Sequence, residues 1–393
     1  MKPEDLQADG DRDLAERLLG EPDVKRAIEK LEAEGREAGA RRQLLGTSIR
    51  LTPDMAPDVY ETLDGCRRTL GLESPIESFV YPGAEFNAAA VRPERGRLLI
   101  IVSSGLLEAF EPDELRFVAG HELGHHLFDH HRIPVASLLD GNSRVSPGLV
   151  LRLFAWQRYA EISCDRAGVI CAGGIEPAAR ALFKLASGLR GGRVQVRIDQ
   201  FLSQVADLKE EASLMAPQDD RLRADWFSTH PFSPLRLRAA DLFARSELVT
   251  KGGTPRAELE AQVADLMILM QPSYLHEKSG VAEAMRRLLF AGGVAIASAS
   301  GRVKEEEIEE LERLLGPGSL PPEVKPEVIR NDLPSRLEDV RQHVPPLRRA
   351  QVLRDLCVIA RADGRVEPEE LRVIRDIAAA IGVDPTLVNG SCS

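Results

Sequence analysis

The sequence predicts an α+β fold in which helices predominate, with a small β-sheet in the first two thirds and an all-helical final third. Three observations support this prediction: short strand patterns at 78–81, 87–91 and 98–102, helical patterns after them, and an internal repeat near the end. The predicted regions are charged N-terminal helices (1–45), a mixed domain (46–247), a linker (248–256) and a helical domain (257–393).

Length and composition are those of a globular protein with two or three domains. The chain has 393 residues, 43% hydrophobic and 29% charged. A net charge of -11, without a long lysine-arginine run, argues against nucleic-acid binding. No apolar run reaches the roughly 20 residues of a membrane helix, and the first residues lack the apolar core of a secretory signal. We therefore expect a cytoplasmic protein without a transmembrane segment.

The five cysteines are scattered along the chain, as expected in a reducing compartment. Cys164 and Cys171 lie seven positions apart, but a metal site would favour tighter pairs. We therefore predict that both are small buried residues.

Residues 1–45 are highly charged and carry apolar residues at roughly helical spacing, among them Leu14, Leu18 and Val24. The pattern predicts one or two amphipathic helices that lie on a larger body. No chemistry is predicted for this segment.

The strand pattern at 87–91 contains small side chains that would allow another chain to approach. An extended peptide can add to a sheet edge through main-chain hydrogen bonds, which give affinity without demanding a sequence. We therefore predict that Asn87, Ala88 and Ala89 bind substrate. The alternative is a tightly packed inner strand.

The most informative pattern is His121-Glu122-Leu123-Gly124-His125. Histidines four positions apart lie on the same side of a helix, so both imidazoles can bind one tetrahedral zinc ion. Glu122 can then serve as general base towards a metal-activated water. Pro112 and the acidic residues after it favour a helix start ahead of the pattern. The alternative is a surface helix that happens to be rich in histidine.

A zinc site of this type normally needs a third protein ligand. Glu161 and Asp165 lie four positions apart on one face of a predicted helix, so Glu161 could bind the ion and Asp165 could hold a ligand imidazole. The alternatives are Asp129, four positions after His125, as the ligand, or two solvated acids on a helix. Three more histidines point elsewhere around the helix and are predicted to be surface or packing residues: His126, His130 and His131.

In their order along the chain, these features resemble the M48 family of zinc metallopeptidases, gluzincins that include the membrane-bound CAAX-prenyl proteases and the heat-shock protease HtpX. The resemblance covers about residues 58–243. It rests on the HExxH pattern and on the following further matches: Asn87-Ala88, Ser103-Ser104-Gly105-Leu106-Leu107, Asp113-Glu114-Leu115, the acids Glu161 and Asp165, and Ser228-Thr229-His230-Pro231 with Arg236 six residues after the histidine.

The resemblance implies a zincin-like metallopeptidase domain that binds one Zn²⁺ per chain. By the family's pattern, His121, His125 and Glu161 would be the ligands. Glu122 would act as the base, and Asp165 would orient a ligand.

The closing motif implies that His230 faces the oxyanion and that Arg236 supports the site. Alternatively, His230 caps the turn before Pro231, or Arg238 takes the place of Arg236. The segment between the two ligand-bearing helices is short and polar where membrane-bound relatives carry transmembrane helices. The resemblance therefore indicates a soluble branch that acts on a soluble or peripheral protein.

The final third repeats with a shift of 63 positions, which superposes Gly301-Arg302-Val303 on Gly364-Arg365-Val366 and Ile296-Ala297 on Ile359-Ala360. Each copy reads as helix, glycine turn and helix. This resembles the TerB-like tellurite-resistance fold, an all-helical domain built from two such halves.

The second copy carries an acidic turn that leaves two interpretations open. Asp363 with Glu370 or Glu367 could bind a hard cation, although calcium prefers six or more oxygens. The same residues could instead form an N-capping box for the following helix, which we favour.

These features predict a zinc-dependent endopeptidase whose C-terminal domain, 257–393, binds a protein partner and restrains the protease until a stress signal arrives. The alternative is a catalytically silent adaptor with a structural zinc. Glu122 argues against the adaptor because a structural site has no use for a base beside its ligands. Zinc hydrolysis of a non-peptide substrate is a third interpretation.

Overall fold

The computed structural model describes residues 2–33, 39–138, 147–190, 194–214, 233–267, 279–299, 326–361, 366–385 and 388. Helices predominate around one small four-stranded sheet, which confirms the predicted fold class. The chain divides into two compact units. The first unit comprises 1–134, 156–205 and 230–266, and the second comprises 135–155, 206–229 and 267–393.

The N-terminal segment forms four helices, where the sequence predicted one or two. They are α1 (Pro3–Leu6), α2 (Asp9–Gly20), α3 (Pro22–Ala33) and α4 (Ala40–Thr47). Pro22 explains one of the extra breaks, because the residue before a proline avoids the helical region and Glu21 is extended. The predicted apolar residues Leu14, Leu18 and Val24 are buried.

The sheet has the strand order β1-β2-β4-β3. Its strands are β1 (Ile49–Leu51), β2 (Ile76–Tyr81), β3 (Ala88–Glu94) and β4 (Arg97–Ser103). β2 and β4 are parallel, whereas the two outer pairs are antiparallel. The three predicted strands are confirmed, and β1 was not predicted. Among the described residues β3 pairs only with β4, so it is an edge strand and the inner-strand alternative is wrong.

The two faces of the sheet pack against different helices. On one face, Phe79 and Leu99 pack with Leu44 of α4. Helix α5 (Pro57–Thr69) lies against β2, and helix α7 (Pro112–Leu127) lies against β3 and α5. The sheet therefore places its edge strand β3 directly beside the helix that carries the HExxH pattern.

Helix α7 begins and ends for local reasons. Pro112 occupies its first turn, and Glu111 and Glu114 form a reciprocal capping box. It ends before Asp129, whose left-handed backbone (φ 53°) cannot continue an α-helix. A short 3₁₀ helix, His130–Arg132, follows.

The other helices up to residue 267 are α6 (Ser104–Ala109), α8 (Val135–Leu138), α9 (Pro147–Ala172), α10 (Ile175–Ser187), α11 (Ile198–Leu214), α12 (Ser233–Ala244) and α13 (Arg256–Met267). The predicted linker is an ordered turn, because Ser246 and Thr254 pair across it. A side chain at Gly253 would collide with the Arg245 carbonyl oxygen, so glycine is needed there. Among the described residues no helix is long and apolar enough to cross a membrane.

The second unit contains α14 (Gly280–Ala299), α15 (Pro326–His343), α16 (Pro346–Arg361) and α17 (Pro368–Ala380). Helix α14 packs against each of the other three. Ile296-Ala297 of α14 and Ile359-Ala360 of α16 are the equivalent positions of the predicted repeat. The glycine turns of both copies lie outside the described residues, and the predicted domain limits stay predictions.

Candidate metal centre

Two helices of the first unit meet at small residues, and this crossing creates the site. A β-carbon at Gly124 of α7 would lie 2.9 Å from the Cα of Cys164 in α9, and one at Gly120 would lie 2.7 Å from the Cβ of Cys171. Gly168 of α9 faces Phe117 of α7 equally closely. The backbones can therefore approach, and Glu161 of α9 reaches the two histidines of α7.

His121, His125 and Glu161 converge through the atoms that would bind a metal. The Nε2 atoms of His121 and His125 lie 3.4 Å and 3.6 Å from the two carboxylate oxygens of Glu161. Ligand atoms about 2.0–2.1 Å from a tetrahedral zinc ion are themselves about 3.3 Å apart. Each nitrogen thus faces a different oxygen of one carboxylate at about the separation of two zinc ligands, which supports the ligand set predicted from the sequence.

Cys164 lies at the same place, which the sequence interpretation missed. Its thiol and one nitrogen each from His121 and His125 lie within 4.8 Å of one another. Burial raises the pKa of the Cys164 thiol, and the neighbouring carboxylate of Glu161 raises it further. The predicted burial is correct, but the cysteine also borders the metal centre.

Asp129, the rival third ligand, is not brought to the histidines. It is exposed, and its left-handed backbone forms the turn after α7. Among the described residues, the group that could hold a metal consists of His121, His125 and Cys164, so the case for Glu161 rests on the closeness of its two oxygens to the histidine nitrogens. The geometry therefore favours Glu161.

His121 is held from behind by a buried ion pair. Its Nδ1 lies 2.9 Å from Asp165, and the Arg236 guanidinium donates to both oxygens of that carboxylate at 2.8 Å and 2.6 Å. Another guanidinium nitrogen lies 3.5 Å from Glu161. Arg238 pairs instead with Asp241. Arg236 is thus the arginine that reaches the site.

These charges shift the titration of the site. Burial alone would lower the pKa of His121, but Glu161 and Asp165 outweigh it and raise the pKa to about 10. Burial would raise the pKa of Asp165, but Arg236 outweighs it and the pKa is lowered. Asp165 is therefore ionised, and the pocket attracts positive charge.

His125 is held from behind by residues that the sequence analysis left without a role. Its Nδ1 lies 3.1 Å from Nδ1 of His130, whose Nε2 lies 3.1 Å from the carboxylate of Asp11 in α2. Both are buried, so the prediction that His130 is a surface or packing residue misses this contact. Asp11 could have been noticed, because it stands on the face of α2 that carries Leu14 and Leu18.

Glu122 lies between the metal centre and the edge strand. Its side chain is buried, and its carboxylate accepts a hydrogen bond of 2.6 Å from the Ala90 amide of β3. Burial raises the pKa of this carboxyl group. Upstream, Asn87 is exposed and donates its side-chain amide to Tyr81, whereas Ala88 and Ala89 are half-buried.

Two predicted site residues, His230 and Asp363, lie outside the described residues. Glu370 is described, and it forms a capping box with Glu367 at the start of α17. The favoured interpretation is thus confirmed for these two residues, whereas the role of Asp363 stays a prediction.

Comparison with known proteins agrees with the predicted resemblance. The profile of peptidase family M48 matches residues 80–142 and 137–243, and that of the tellurite resistance protein TerB matches 286–389. The chain is 29% identical over 213 residues to the plastoglobule-localized metallopeptidase 48 of Arabidopsis thaliana chloroplasts. The aligned region covers 51% of this chain and 61% of the relative. It is 43% identical over 82 residues to the protease HtpX of Pseudomonas entomophila, 20% of this chain and 28% of that protein.

The chain therefore spans about three fifths or less of the length of these relatives. The search of solved structures gave no significant match. The matches confirm the predicted pairing of a metallopeptidase domain with a TerB domain and support a proteolytic function.

Proposed function

We propose that this chain, which carries an M48 peptidase domain at 80–243 followed by a TerB domain at 286–389, is a zinc-dependent endopeptidase acting on a soluble or peripheral protein. One observation carries the proposal: Glu122 lies beside three convergent metal-binding side chains and is held by the edge strand of the sheet. A base, a metal site and a substrate edge thus adjoin one another.

His121, His125 and Glu161 would hold one zinc ion per chain. Zinc bound there would polarise the scissile carbonyl and make a water molecule more acidic. Glu122 would accept the proton of the attacking water and deliver it to the leaving amine. Its hydrogen bond from Ala90 fixes the carboxylate for this transfer. His230 would donate to the oxyanion, a role supported by the sequence pattern alone.

The substrate would add to β3 as a further strand. The Asn87 carbonyl accepts from the Ser103 amide of β4, so Asn87 and Ala89 direct their main-chain groups towards β4. Alternation along an antiparallel strand then turns those of Ala88 and Ala90 outward. Ala90 donates to Glu122, which leaves Ala88 to bind the main chain of an extended peptide.

The TerB domain would bind a partner and restrain the protease until a stress signal arrives. The pairing of the two domains in one chain motivates this step. A reducing compartment such as the cytoplasm suits the four described cysteines, all of which are free thiols. Removing residues 268–393, after α13, is expected to change activity or binding partners. Unchanged activity, abundance and partners would contradict regulation by this domain.

Cys164 favours a second candidate function, a catalytically silent adaptor with a structural zinc. The Cys164 thiol groups with His121 and His125. Together with Glu161, these side chains would fill all four positions of a tetrahedral ion and leave none for water. The two functions therefore differ in whether the thiol binds the metal.

The zinc content per chain separates these functions. We expect nearly one zinc in the wild type and in Cys164→Ala, and loss of zinc from Glu161→Gln under mild chelation. Glu122→Gln should keep zinc but lose hydrolysis of unfolded casein. Zinc lost from Cys164→Ala would support the adaptor, whereas zinc retained by Glu161→Gln would contradict the ligand assignment.

A further inference from the structure

Helix α2 carries a buried carboxylate, that of Asp11, which contacts α9 beside the candidate metal centre. Asp11 has no exposed surface. Its Oδ1 accepts from Trp156 Nε1 at 2.9 Å, and its Oδ2 accepts from the Ser163 hydroxyl at 2.7 Å and lies 3.1 Å from His130 Nε2. Burying a carboxylate is costly unless it is fully hydrogen-bonded, and here the donors converge on both oxygens.

Helix α2 approaches α9 closely enough to fix this carboxylate. A β-carbon at Gly10 would lie 2.6 Å from ring atoms of Tyr159, so a larger residue would have to displace that ring. The Ala8 amide donates to the Ser163 hydroxyl at 3.0 Å, and that hydroxyl donates to Asp11. Contacts at Ala8 and Gly10, both just ahead of Asp11 in the chain, therefore help to set the position of its carboxylate.

The hydrogen-bond directions from Asp11 to His125 follow from the donor and acceptor capacity of each group. An ionised Asp11 only accepts, so His130 donates its Nε2–H. In a neutral imidazole the other nitrogen is then an acceptor, and its partner at 3.1 Å is Nδ1 of His125. The Cys164 sulfur also lies 3.7 Å from this nitrogen of His130, but it is farther away and a thiol is a weak donor, so we assign the donated proton to Nδ1 of His125. Its lone pair is left on Nε2, the atom that faces Glu161.

We propose that Asp11 and His130 are positioning residues of the metal centre, which fix the ring and tautomer of His125 as Asp165 does for His121. The inference rests on the proposed zinc site. It makes the N-terminal helix part of that site, whereas a purely structural role would only attach the helix to α9. Loss of such an outer hydrogen bond typically weakens metal binding about tenfold to a hundredfold.

The test is the zinc dissociation constant of the full chain, measured by competition with a chelator, alongside the midpoint of thermal unfolding without metal. Besides Ser163 and His130, the Gln7 side-chain amide donates to Asp11 Oδ2, at 3.1 Å. In Asp11→Asn we expect the oxygen to stay with Trp156, which can only donate, because the Ser163 hydroxyl and the Gln7 amide can each turn an acceptor to the new amide nitrogen. That nitrogen then faces His130. His130 then shifts its proton to Nδ1 and opposes the His125 Nδ1–H. We expect zinc binding about tenfold to a hundredfold weaker.

A second substitution distinguishes positioning from packing. Trp156→Phe alone leaves the hydrogen bond between His130 and Asp11 intact. It should therefore keep the zinc affinity within about twofold of the wild type. Added to Asp11→Asn, it frees the asparagine to turn its oxygen to His130. The double variant should therefore bind zinc more tightly than Asp11→Asn while unfolding at a lower temperature. A structural role predicts that affinity and stability fall together.

His130 provides a matched pair that does not depend on Asp11→Asn folding. His130→Gln can donate to Asp11 and accept from His125, so it should keep most of the affinity, whereas His130→Leu should lose about tenfold or more. Equal affinity in His130→Leu and the wild type would overturn the inference and leave the zinc site standing. A wild type that binds no zinc would overturn both.

Discussion

The two histidines of the metal centre are fixed in different ways. His121 is held by the charged pair of Asp165 and Arg236, whereas His125 is held by the imidazole of His130, which leads to Asp11 of the N-terminal helix. At the proposed zinc site, both arrangements would keep a proton on Nδ1 and leave Nε2 to bind the ion. The difference shows that a hydrogen-bond partner for Nδ1 of a ligand histidine can come from a residue of the recognised sequence pattern or from a distant segment of the chain.

The largest expected effect, on both zinc affinity and stability, comes from a substitution among the residues that contact His121. Asp165→Asn would remove the charge that neutralises the buried Arg236 and would weaken the hold on His121. We expect zinc binding weaker by about a hundredfold and a loss of about 3–5 kcal/mol in the free energy of unfolding. Chelator competition and chemical denaturation measure the two effects.

Asp241→Asn is the matched control for this prediction. Asp241 is also buried, but it pairs with Arg238 of α12 and with Arg245, the residue that follows α12, and not with a histidine of the candidate site. It should destabilise the fold without changing zinc affinity. If both variants lost zinc equally, the special position of Asp165 would be disproved.

The acidic residues that contact His121 could be predicted from the sequence, because they and the histidines lie on two helices at helical spacing. His121 and His125 lie four apart on α7, and Glu161 and Asp165 lie four apart on α9. The His125 side could not be found in this way, because Asp11 and His130 are 119 positions apart and meet only through tertiary packing. Cys164 was missed because the crossing of two helices at glycine cannot be derived from spacing.

The fold was predictable to a similar depth. The periodic patterns gave the strand β4 and the helix α7, whereas the three-residue strand β1 was too short to give a signal. The composition of the glycine-rich segment before α13 predicts a linker, and main-chain hydrogen bonds close this segment into a turn. Composition indicates a break in regular structure, and it does not say whether the break is ordered.

A second prediction tests the helix crossing that both sides share. Gly124→Ala would place a β-carbon 2.9 Å from the Cα of Cys164, and backbone there cannot rotate away. Helix α9 must then move by several tenths of an ångström and carry Glu161 away from the histidines. Since metal sites tolerate about 0.2 Å in ligand distance, we expect zinc affinity to fall about tenfold.

Gly65→Ala in α5 is the control, because a β-carbon there would meet no atom within 4 Å. It should stabilise the helix by about 0.5–1 kcal/mol and leave zinc binding unchanged. An unchanged zinc affinity in Gly124→Ala would mean that the crossing is more adaptable than its contacts indicate.

The smallest change in zinc affinity is expected from Glu260→Gln, which sharpens the comparison on the His125 side. Glu260 of α13 accepts from Arg166 at 2.7 Å and from the Asp9 amide at 3.2 Å, so it also attaches the start of α2. The substitution weakens a bond to a fully buried arginine, which should cost about 1.5–3 kcal/mol in the free energy of unfolding. Because Asp11 keeps its own donors, the zinc dissociation constant should change less than about twofold. A tenfold loss of affinity would mean that His125 depends on the attachment of the whole N-terminal helix, and the distinction between positioning and docking would no longer hold.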